Sequence, residues 1–316
     1  MGKKATIKRV EEDNTTFEKV FEDFQFNNKA RGLSENTIQF YNNNLIALRV
    51  FLEESGIEDL SGVNKKDFNN FVLWLRDGYE NTTTINTYLR AARTFFYFAM
   101  DEGYISEFRI TLAQPQEKVK ETYTEEEIKR LLQKPNLRTC SFQEYRNWVL
   151  VQYLLDTGNR LNTVRHMKVE DIDLQAGMAV LRTVKNNKQQ FSPLSKPLVK
   201  NLRDYMKTWG LQSEDYLFPN VERGQLSKDG MVKAVARYNH SRGVNKTSIH
   251  AFRHSFAMNY VKTGGNAFKL QRLLGHSTLE VTRTYINLFG QDLAQDFAKH
   301  SIIEKHSQEG KRLRRG

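Results

Sequence analysis

Cysteine and proline are both scarce in this chain of 316 residues. Its single cysteine, Cys140, excludes a disulfide framework and a zinc site made of four cysteines. Only five prolines accompany 20 phenylalanines and 13 tyrosines, so long disordered tracts are not expected away from the chain ends. This is the composition of a globular protein, and the length is sufficient for two domains.

Long apolar segments are missing as well. Residues 1–13 are charged and contain no hydrophobic run of the kind that a signal peptide requires. No other stretch approaches the roughly 20 apolar residues of a membrane-spanning helix. We therefore expect a cytoplasmic protein with no membrane partner.

Acidic residues are outnumbered, with 37 Asp and Glu against 48 Lys and Arg and a net charge of +11. This excess of positive charge suggests that the protein binds a polyanion, and nucleic acid is the first candidate. Anionic lipid or a merely basic surface are the alternatives. The acidic run Glu125–Glu127 is typical of a helix start, and Asp171 and Asp173 are predicted to be polar surface groups. We therefore expect neither a metal ion nor a cofactor.

Residues 14–105 are predicted to form a small all-α domain of four amphipathic helices, because apolar residues recur there at helical spacing. Ser34 is a plausible N-cap of the second helix, and the polar segment Asn81–Thr84 opens the fourth. The apolar stripes are Phe17, Val20, Phe21 and Phe24; Ile38, Tyr41, Leu45, Leu48 and Leu52; Phe68, Phe71, Val72 and Leu75; and Ile85, Leu89, Ala92, Phe95, Phe96 and Ala99.

The polar residues 106–122 are the predicted linker, and a second domain follows at 123–290. Thr124–Glu127 has the pattern of a capping box at the start of a helix. Residues 172–184 and 191–194 are predicted strands, joined by a basic turn, and helices resume from Pro197. The whole chain is thus expected to be mainly α with a small β-sheet, and 291–316 are a C-terminal helix and basic tail.

Three segments of the second domain carry candidate chemistry. They are Thr157–Leu161, which contains Arg160; His250–His254; and Leu273–His276, with Tyr285 nine residues after the last. On a helix His250 and Arg253 would share one face, because they are three residues apart. Taken singly, each could be an ordinary surface or core residue.

Together these residue types suit substitution at a phosphodiester. Two arginines can hold the non-bridging oxygens through planar, multi-donor contacts, and a histidine can add a further hydrogen bond. Tyrosine is a poor nucleophile at neutral pH, since its pKa is about 10, and therefore needs a base or a strongly positive site. A lysine on the basic turn can protonate the leaving oxygen.

This pattern resembles the tyrosine recombinase (phage integrase) family. The family signature is an arginine after a Thr-Gly turn, a lysine on a β-hairpin, His-x-x-Arg, a Gly-His segment and the nucleophilic tyrosine. The N-terminal helical unit is similar to the family's core-binding domain, so the resemblance covers nearly the whole chain. The matching residues, in the family's order, are Arg160, Lys185, His250, Arg253, His276 and Tyr285.

The resemblance implies a role for each residue. Tyr285 attacks the scissile phosphate and forms a 3′-phosphotyrosyl bond. Lys185 is the general acid, with Lys188 of the same turn as the alternative, and His250 assists removal of the tyrosine proton. The family often has an acidic residue where this chain has Thr163, a departure that could alter the support of Arg160. The phosphate is held by Arg160, Arg253 and His276.

The resemblance also implies partners. The protein would clamp double-stranded DNA at specific recombination sites and act as a homo-tetramer on two duplexes, with residues 290–303 donated between protomers. An accessory DNA-bending protein or a paralogous recombinase could join it. Candidate DNA contacts, each of which could equally be a solvated helix face, are Arg90 and Arg93 on the fourth helix and Lys233 and Arg237 on the helix after Ser227.

Several functions stay open at this point. The atypical turn 159–163 favours integration, excision or transposition of a mobile element over Xer-like resolution of chromosome or plasmid dimers. A non-catalytic DNA-binding protein on the same fold is the alternative from another class. A metal-dependent nuclease would need clustered carboxylates, and strand relaxation without recombination would need no paired sites.

Overall fold

A computed structural model of the protein describes residues 15–112, 121–182 and 190–275. The chain divides into two compact units, Met1–Lys118 and Val119–Gly316. The division lies inside the predicted linker 106–122. The described residues are mainly helical and contain one small sheet, which confirms the predicted fold class. None of their helices is both long and apolar enough to span a membrane.

The first unit is a four-helix domain with an aromatic core. Phe71, Phe95 and Phe96 are completely or almost completely buried in it. Phe24 meets the ring of Phe95 edge-on, with centroids 5.7 Å apart. Burial of these large rings is the main stabilising contribution that the apolar stripes predict. Its described residues, 15–112, form the helices α1 (Phe17–Ala30), α2 (Glu35–Glu54), α3 (Lys65–Gly78) and α4 (Thr82–Asp101), with a 3-10 helix at Leu60–Gly62.

Side chains at the helix starts account for the observed boundaries. The Ser34 hydroxyl accepts a hydrogen bond from the backbone N–H of Thr37, and the Asn81 side chain accepts from Thr83. Such caps satisfy backbone donors that have no partner inside the helix. The predicted starts of the second and fourth helices are therefore confirmed.

The second unit surrounds one buried helix. Its α6 carries buried side chains on all faces, among them Tyr145, Trp148, Tyr153 and Leu154, which is the pattern of a central core helix. The predicted capping box at Thr124 opens α5. Among residues 121–182 and 190–275, the helices are α5 (Glu125–Leu132), α6 (Phe142–Thr157), α7 (Leu161–His166), α8 (Lys196–Trp209), α9 (Lys228–Ser241), α10 (Ile249–Lys262) and α11 (Ala267–Leu274).

The sheet differs in part from the prediction. Residues 172–184 were expected to be one strand, but their described part contains two antiparallel strands, β1 (Ile172–Asp173) and β2 (Met178–Leu181). The Asp173 carboxylate accepts hydrogen bonds from the backbone N–H groups of Gln175 and Ala176, which folds the chain into a turn between them. Strand β3 (Gln190–Pro193) pairs antiparallel with β2, so that Leu181 lies opposite Gln190.

The prediction that Asp171 is a surface group is wrong. Its side chain is buried, 5% exposed, and one carboxylate oxygen lies 2.6 Å from Nε of Arg182, which follows β2 directly. The other oxygen accepts the backbone N–H of Lys168 at 2.9 Å. A 3-10 helix at Val169–Asp171, rather than a strand, turns the side chain inward. Asp173 is exposed, as expected.

We expect Asp171→Ala to lower the free energy of unfolding by about 1–3 kcal/mol, because the Lys168 N–H loses its acceptor and Arg182 loses its carboxylate partner. Chemical denaturation measures this change. Asp229→Ala, which removes an exposed carboxylate from the first turn of α9, is the control and should cost only a few tenths of a kcal/mol. Equal effects of the two substitutions would contradict a structural role for Asp171.

Candidate active site

Arg160 lies just after α6, in a turn that side-chain hydrogen bonds hold in place. Thr157 donates its hydroxyl hydrogen to the carbonyl of Tyr153 at 2.7 Å. The buried Asn159 donates its side-chain N–H to the Tyr153 hydroxyl at 3.0 Å. Arg160 follows as the N-cap residue of α7 and is half-buried. Because both neighbours of Gly158 are tied to the helix, the start of the arginine side chain is held in one place.

Gly158 occupies a position that other residues cannot take without strain. Its φ is +61°, in the left-handed region. A Cβ atom built there would lie 2.6 Å from a ring carbon of Phe256 and 3.0 Å from the side chain of Leu274. Glycine is therefore required at position 158 by the close approach of α10 and α11 to this turn.

Helix α10 places His250 and Arg253 in different environments. His250 lies in the first turn and is exposed, whereas Arg253 is buried, 7% exposed. One Nη of Arg253 donates to the carbonyl of Gly158 at 2.9 Å, and the other donates to the carbonyl of Leu274 at 2.7 Å. The buried guanidinium thus joins the α6 turn to the end of α11.

The base of α10 is anchored by Tyr123, which precedes α5. The Ser255 hydroxyl accepts the backbone N–H of Tyr123 at 2.8 Å, and the Tyr123 and Phe252 rings pack with centroids 4.5 Å apart. Asn239 of α9 donates to the Tyr123 hydroxyl at 3.0 Å. These contacts hold the residues on both sides of Arg253 in the core.

The carbonyl end of α11 is where the three motif segments meet. The helix ends at Gly275, whose φ is +61°. Arg160 donates to the Gly275 carbonyl at 3.3 Å, next to the Leu274 carbonyl that Arg253 contacts. Gln190 of β3 donates to the preceding two carbonyls, those of Arg272 and Leu273, at 2.8 and 2.7 Å. Sequence inspection did not single out Gln190, since no local pattern signals a contact more than 80 residues away.

The two arginines keep their positive charge despite being buried or half-buried. Partial burial lowers the pKa of Arg160 from its usual value, yet a guanidinium stays protonated in proteins because its pKa lies so far above neutrality. The contacts described above are with uncharged carbonyl oxygens. These particular hydrogen bonds orient both guanidiniums and do not themselves neutralise their charge.

The other predicted site residues fall into two groups. Lys185, Lys188, His276, Tyr285 and the segment 290–303 lie outside the described residues. The candidate DNA contacts lie on helices: Arg90 is exposed and Arg93 half-buried on α4, and Lys233 and Arg237 are exposed and four residues apart on α9. Among the described residues, no group of three or more His, Cys, Asp or Glu could hold a metal ion.

The described part of the second unit thus brings two guanidiniums, those of Arg160 and Arg253, together at the end of α11 in a mainly helical unit with a small antiparallel sheet. The sequence model of the Phage integrase family matches residues 121–291, and that of the phage integrase N-terminal SAM-like domain matches residues 23–103. The chain belongs to the phage integrase family and is a tyrosine-type recombinase.

Individual relatives agree with this assignment. The chain is 27% identical to tyrosine recombinase XerD of Staphylococcus epidermidis, with 82% of this chain and 90% of that protein covered. It is 30% identical to tyrosine recombinase XerA of Thermococcus kodakarensis, with 90% and 96% covered. The fold matches the Tn1549 transposon integrase in complex with transposon right end DNA, with a TM-score of 0.68, 18% identity, and 84% and 94% covered.

Gly158→Ala should abolish most DNA cleavage and destabilise the fold, because the added methyl group must displace Phe256 and with it the Gly158 carbonyl that positions Arg253. Gly210→Ala is the matched control: Gly210 has φ +56° but no atom within 4 Å of a built Cβ. We expect the control to cost only about 1–2 kcal/mol of backbone strain and to keep cleavage. Thermal unfolding and a cleavage assay measure both, and equal behaviour of the two variants would contradict the packing argument.

Proposed function

We propose that this protein is a site-specific DNA recombinase that cuts and rejoins DNA strands through a covalent bond to Tyr285. The observation that carries the proposal is the convergence of Arg160 and Arg253 on the carbonyls of Leu274 and Gly275. His276 is the next residue, and Tyr285 follows nine positions later. Two phosphate-binding cations are thus fixed at the chain segment that leads to the nucleophile.

In the first chemical step the Tyr285 oxygen attacks the scissile phosphorus. The new O–P bond forms as the bond to the 5′ oxygen breaks, which leaves a 3′-phosphotyrosyl link and a free 5′-hydroxyl. Negative charge gathers on the non-bridging oxygens, where Arg160, Arg253 and His276 donate. Preorganised donors at such a position commonly contribute a factor of about 10²–10³ each.

Protons move at both ends of the reaction. His250 accepts the proton of the tyrosine hydroxyl, a role that its exposed position in the first turn of α10 permits. Lys185, or Lys188 in the same turn, donates a proton to the departing 5′ oxygen. The phosphotyrosyl bond conserves the phosphodiester energy, so attack by a 5′-hydroxyl of the partner strand rejoins DNA without a nucleotide cofactor. Exchange of both strands passes through a Holliday junction.

Basic side chains outside the site would hold the duplex. Lys233 and Arg237 are exposed at a four-residue spacing on α9, and Arg90 is exposed on α4, with Arg93 beside it. With a net charge of +11, contacts of this kind go mainly to phosphates and make the affinity dependent on salt. Four protomers would act on two duplexes, in the cytoplasm.

Two biological roles are supported by different observations. The atypical turn 159–163, with Thr163 at a position often acidic in the family, favours integration, excision or transposition of a mobile element. The XerD and XerA relatives, matched over most of their lengths, favour resolution of chromosome or plasmid dimers as the second candidate.

Nicked duplexes taken from DNA flanking the protein's own gene, incubated with the protein in EDTA and then denatured, should yield a covalent protein–DNA adduct. The adduct should form without divalent metal, because side-chain donors stabilise the developing charge. Tyr285→Phe should abolish it, since phenylalanine has no nucleophilic oxygen. Gel electrophoresis of the denatured mixture measures the adduct.

Tyr216→Phe is the matched control, because it removes a tyrosine hydroxyl from a half-buried site elsewhere in the second unit and should leave the adduct intact. An adduct that survives Tyr285→Phe would refute the assigned nucleophile, and dependence on metal would refute the mechanism. An adduct confined to a chromosomal or plasmid dimer-resolution site would favour the second biological role.

Deleting residues 291–316 should preserve adduct formation on a single site but abolish the pairing of two sites. The deletion keeps Tyr285 yet removes Leu293, Phe297, Ile302 and Ile303, the apolar side chains proposed to dock on a neighbouring protomer. A shorter deletion of 304–316, which retains all four, is the control. Pairing and recombination are measured by native electrophoresis and product analysis, and unchanged recombination by the longer truncation would rule out the donated helix.

A further inference from the structure

The last four carbonyls of the α11 segment bind three side chains from three different parts of the chain. Arg160 from the α6–α7 turn and Arg253 from α10 contact the last two, and Gln190 from β3 contacts the first two. Carbonyls at the end of a helix lack partners within it and carry the negative end of its dipole. Donors from outside are therefore needed there, and Gln190 is the uncharged one among these three.

Gln190 is held firmly at both ends. Its backbone pairs with Leu181 in the ladder between β2 and β3. Its single side-chain nitrogen gives two short hydrogen bonds, at 2.8 and 2.7 Å. Its side-chain oxygen lies only 2.5 Å from the position that a Cβ atom on Gly275 would take. The strand and the helix end are thus in direct contact, and the φ of +61° at Gly275 favours glycine there.

The residues that this contact joins lie close in sequence to two proposed catalytic groups, the general-acid lysine and His276. Gln190 comes five residues after Lys185 and two after Lys188, and Leu273 comes three residues before His276. We infer that Gln190 is a positioning residue, which holds the strand that follows the general-acid lysine against the end of the helix that leads to His276. This inference rests on the proposed function, because it assumes that a lysine of this turn protonates the leaving group.

The side chain at position 190 must donate hydrogen bonds, and this requirement matters more than its size. A glutamate has the shape of glutamine but, when ionised, accepts hydrogen bonds only, so it would face two carbonyl oxygens without a proton to share. An arginine has several donors and can reach the same carbonyls. Gln190→Glu should therefore be harmful and Gln190→Arg tolerated, the reverse of what the similarity in volume suggests.

The test compares two nicked duplexes under single-turnover conditions at saturating DNA. One has the natural 5′ bridging oxygen at the scissile phosphate, and the other has sulfur there. A thiolate leaves without prior protonation, because thiols have a pKa of about 8.5, so the sulfur substrate removes the need for a general acid. Lys185→Ala and Lys188→Ala show which lysine is the acid, since only its variant is slow on oxygen and fast on sulfur.

We expect Gln190→Glu to bind DNA like the unaltered protein but to form the adduct about 10- to 100-fold more slowly on the oxygen substrate, since small misplacements of a catalytic group have effects of this size. On the sulfur substrate the deficit should shrink to about threefold or less. Gln190→Arg should cleave both substrates within about threefold of the unaltered protein. Gln175→Glu, which makes the same change at an exposed site between β1 and β2, should have no effect.

The possible outcomes test the positioning role of Gln190 separately from the proposed recombinase function. If a lysine variant is rescued by sulfur but Gln190→Glu stays equally slow on both substrates, Gln190 is a structural residue and the inference is wrong. Normal cleavage of the oxygen substrate by Gln190→Glu also overturns it. If neither lysine variant is rescued, the general-acid assignment fails and the inference fails with it, whereas loss of adduct in Tyr285→Phe still supports the recombinase function.

Discussion

The carbonyl end of α11 is the constraint on which the arrangement of the site depends. Backbone oxygens at a helix terminus that is packed against the core must find donors. The N–H of the C-cap residue Gly275 donates to the Arg272 carbonyl, and side chains from outside α11, those of Arg253, Arg160 and Gln190, donate to the carbonyls of residues 272–275. Satisfying one helix end therefore brings together the α6 turn, the middle of α10 and strand β3, which are widely separated in the sequence.

The same contacts orient both arginines at the end of α11. A carboxylate partner would neutralise a guanidinium, whereas a carbonyl oxygen orients it and leaves its net charge in place. Arg253 is buried and would be costly to hold there without hydrogen bonds, and the carbonyls of Gly158 and Leu274 supply acceptors at 2.9 and 2.7 Å. These hydrogen bonds to neutral acceptors thus help to fix the direction of the Arg253 side chain.

Local patterns predicted much of this fold, and contacts between distant residues account for most of what they missed. Apolar stripes and the caps at Ser34, Asn81 and Thr124 depend on neighbours within one helical turn, so the sequence indicates them directly. The burial of Asp171 was not predictable, since it depends on Arg182 at the far end of β2. The order of the motif residues identified the candidate site, but not the exposure of His250 or the contact between Gln190 and α11.

The hydrogen bond between Arg160 and the end of α11 also bears on the threonine at position 163. Thr163 is buried in α7, one turn after Arg160, where the family often has an acidic residue. The Arg160 guanidinium donates to the carbonyl of Gly275, which lies far along the chain. This contact orients the side chain without a carboxylate at position 163. A threonine there also adds no negative charge to α7, and the hydrogen bond to Gly275 links the orientation of Arg160 to the placement of α11.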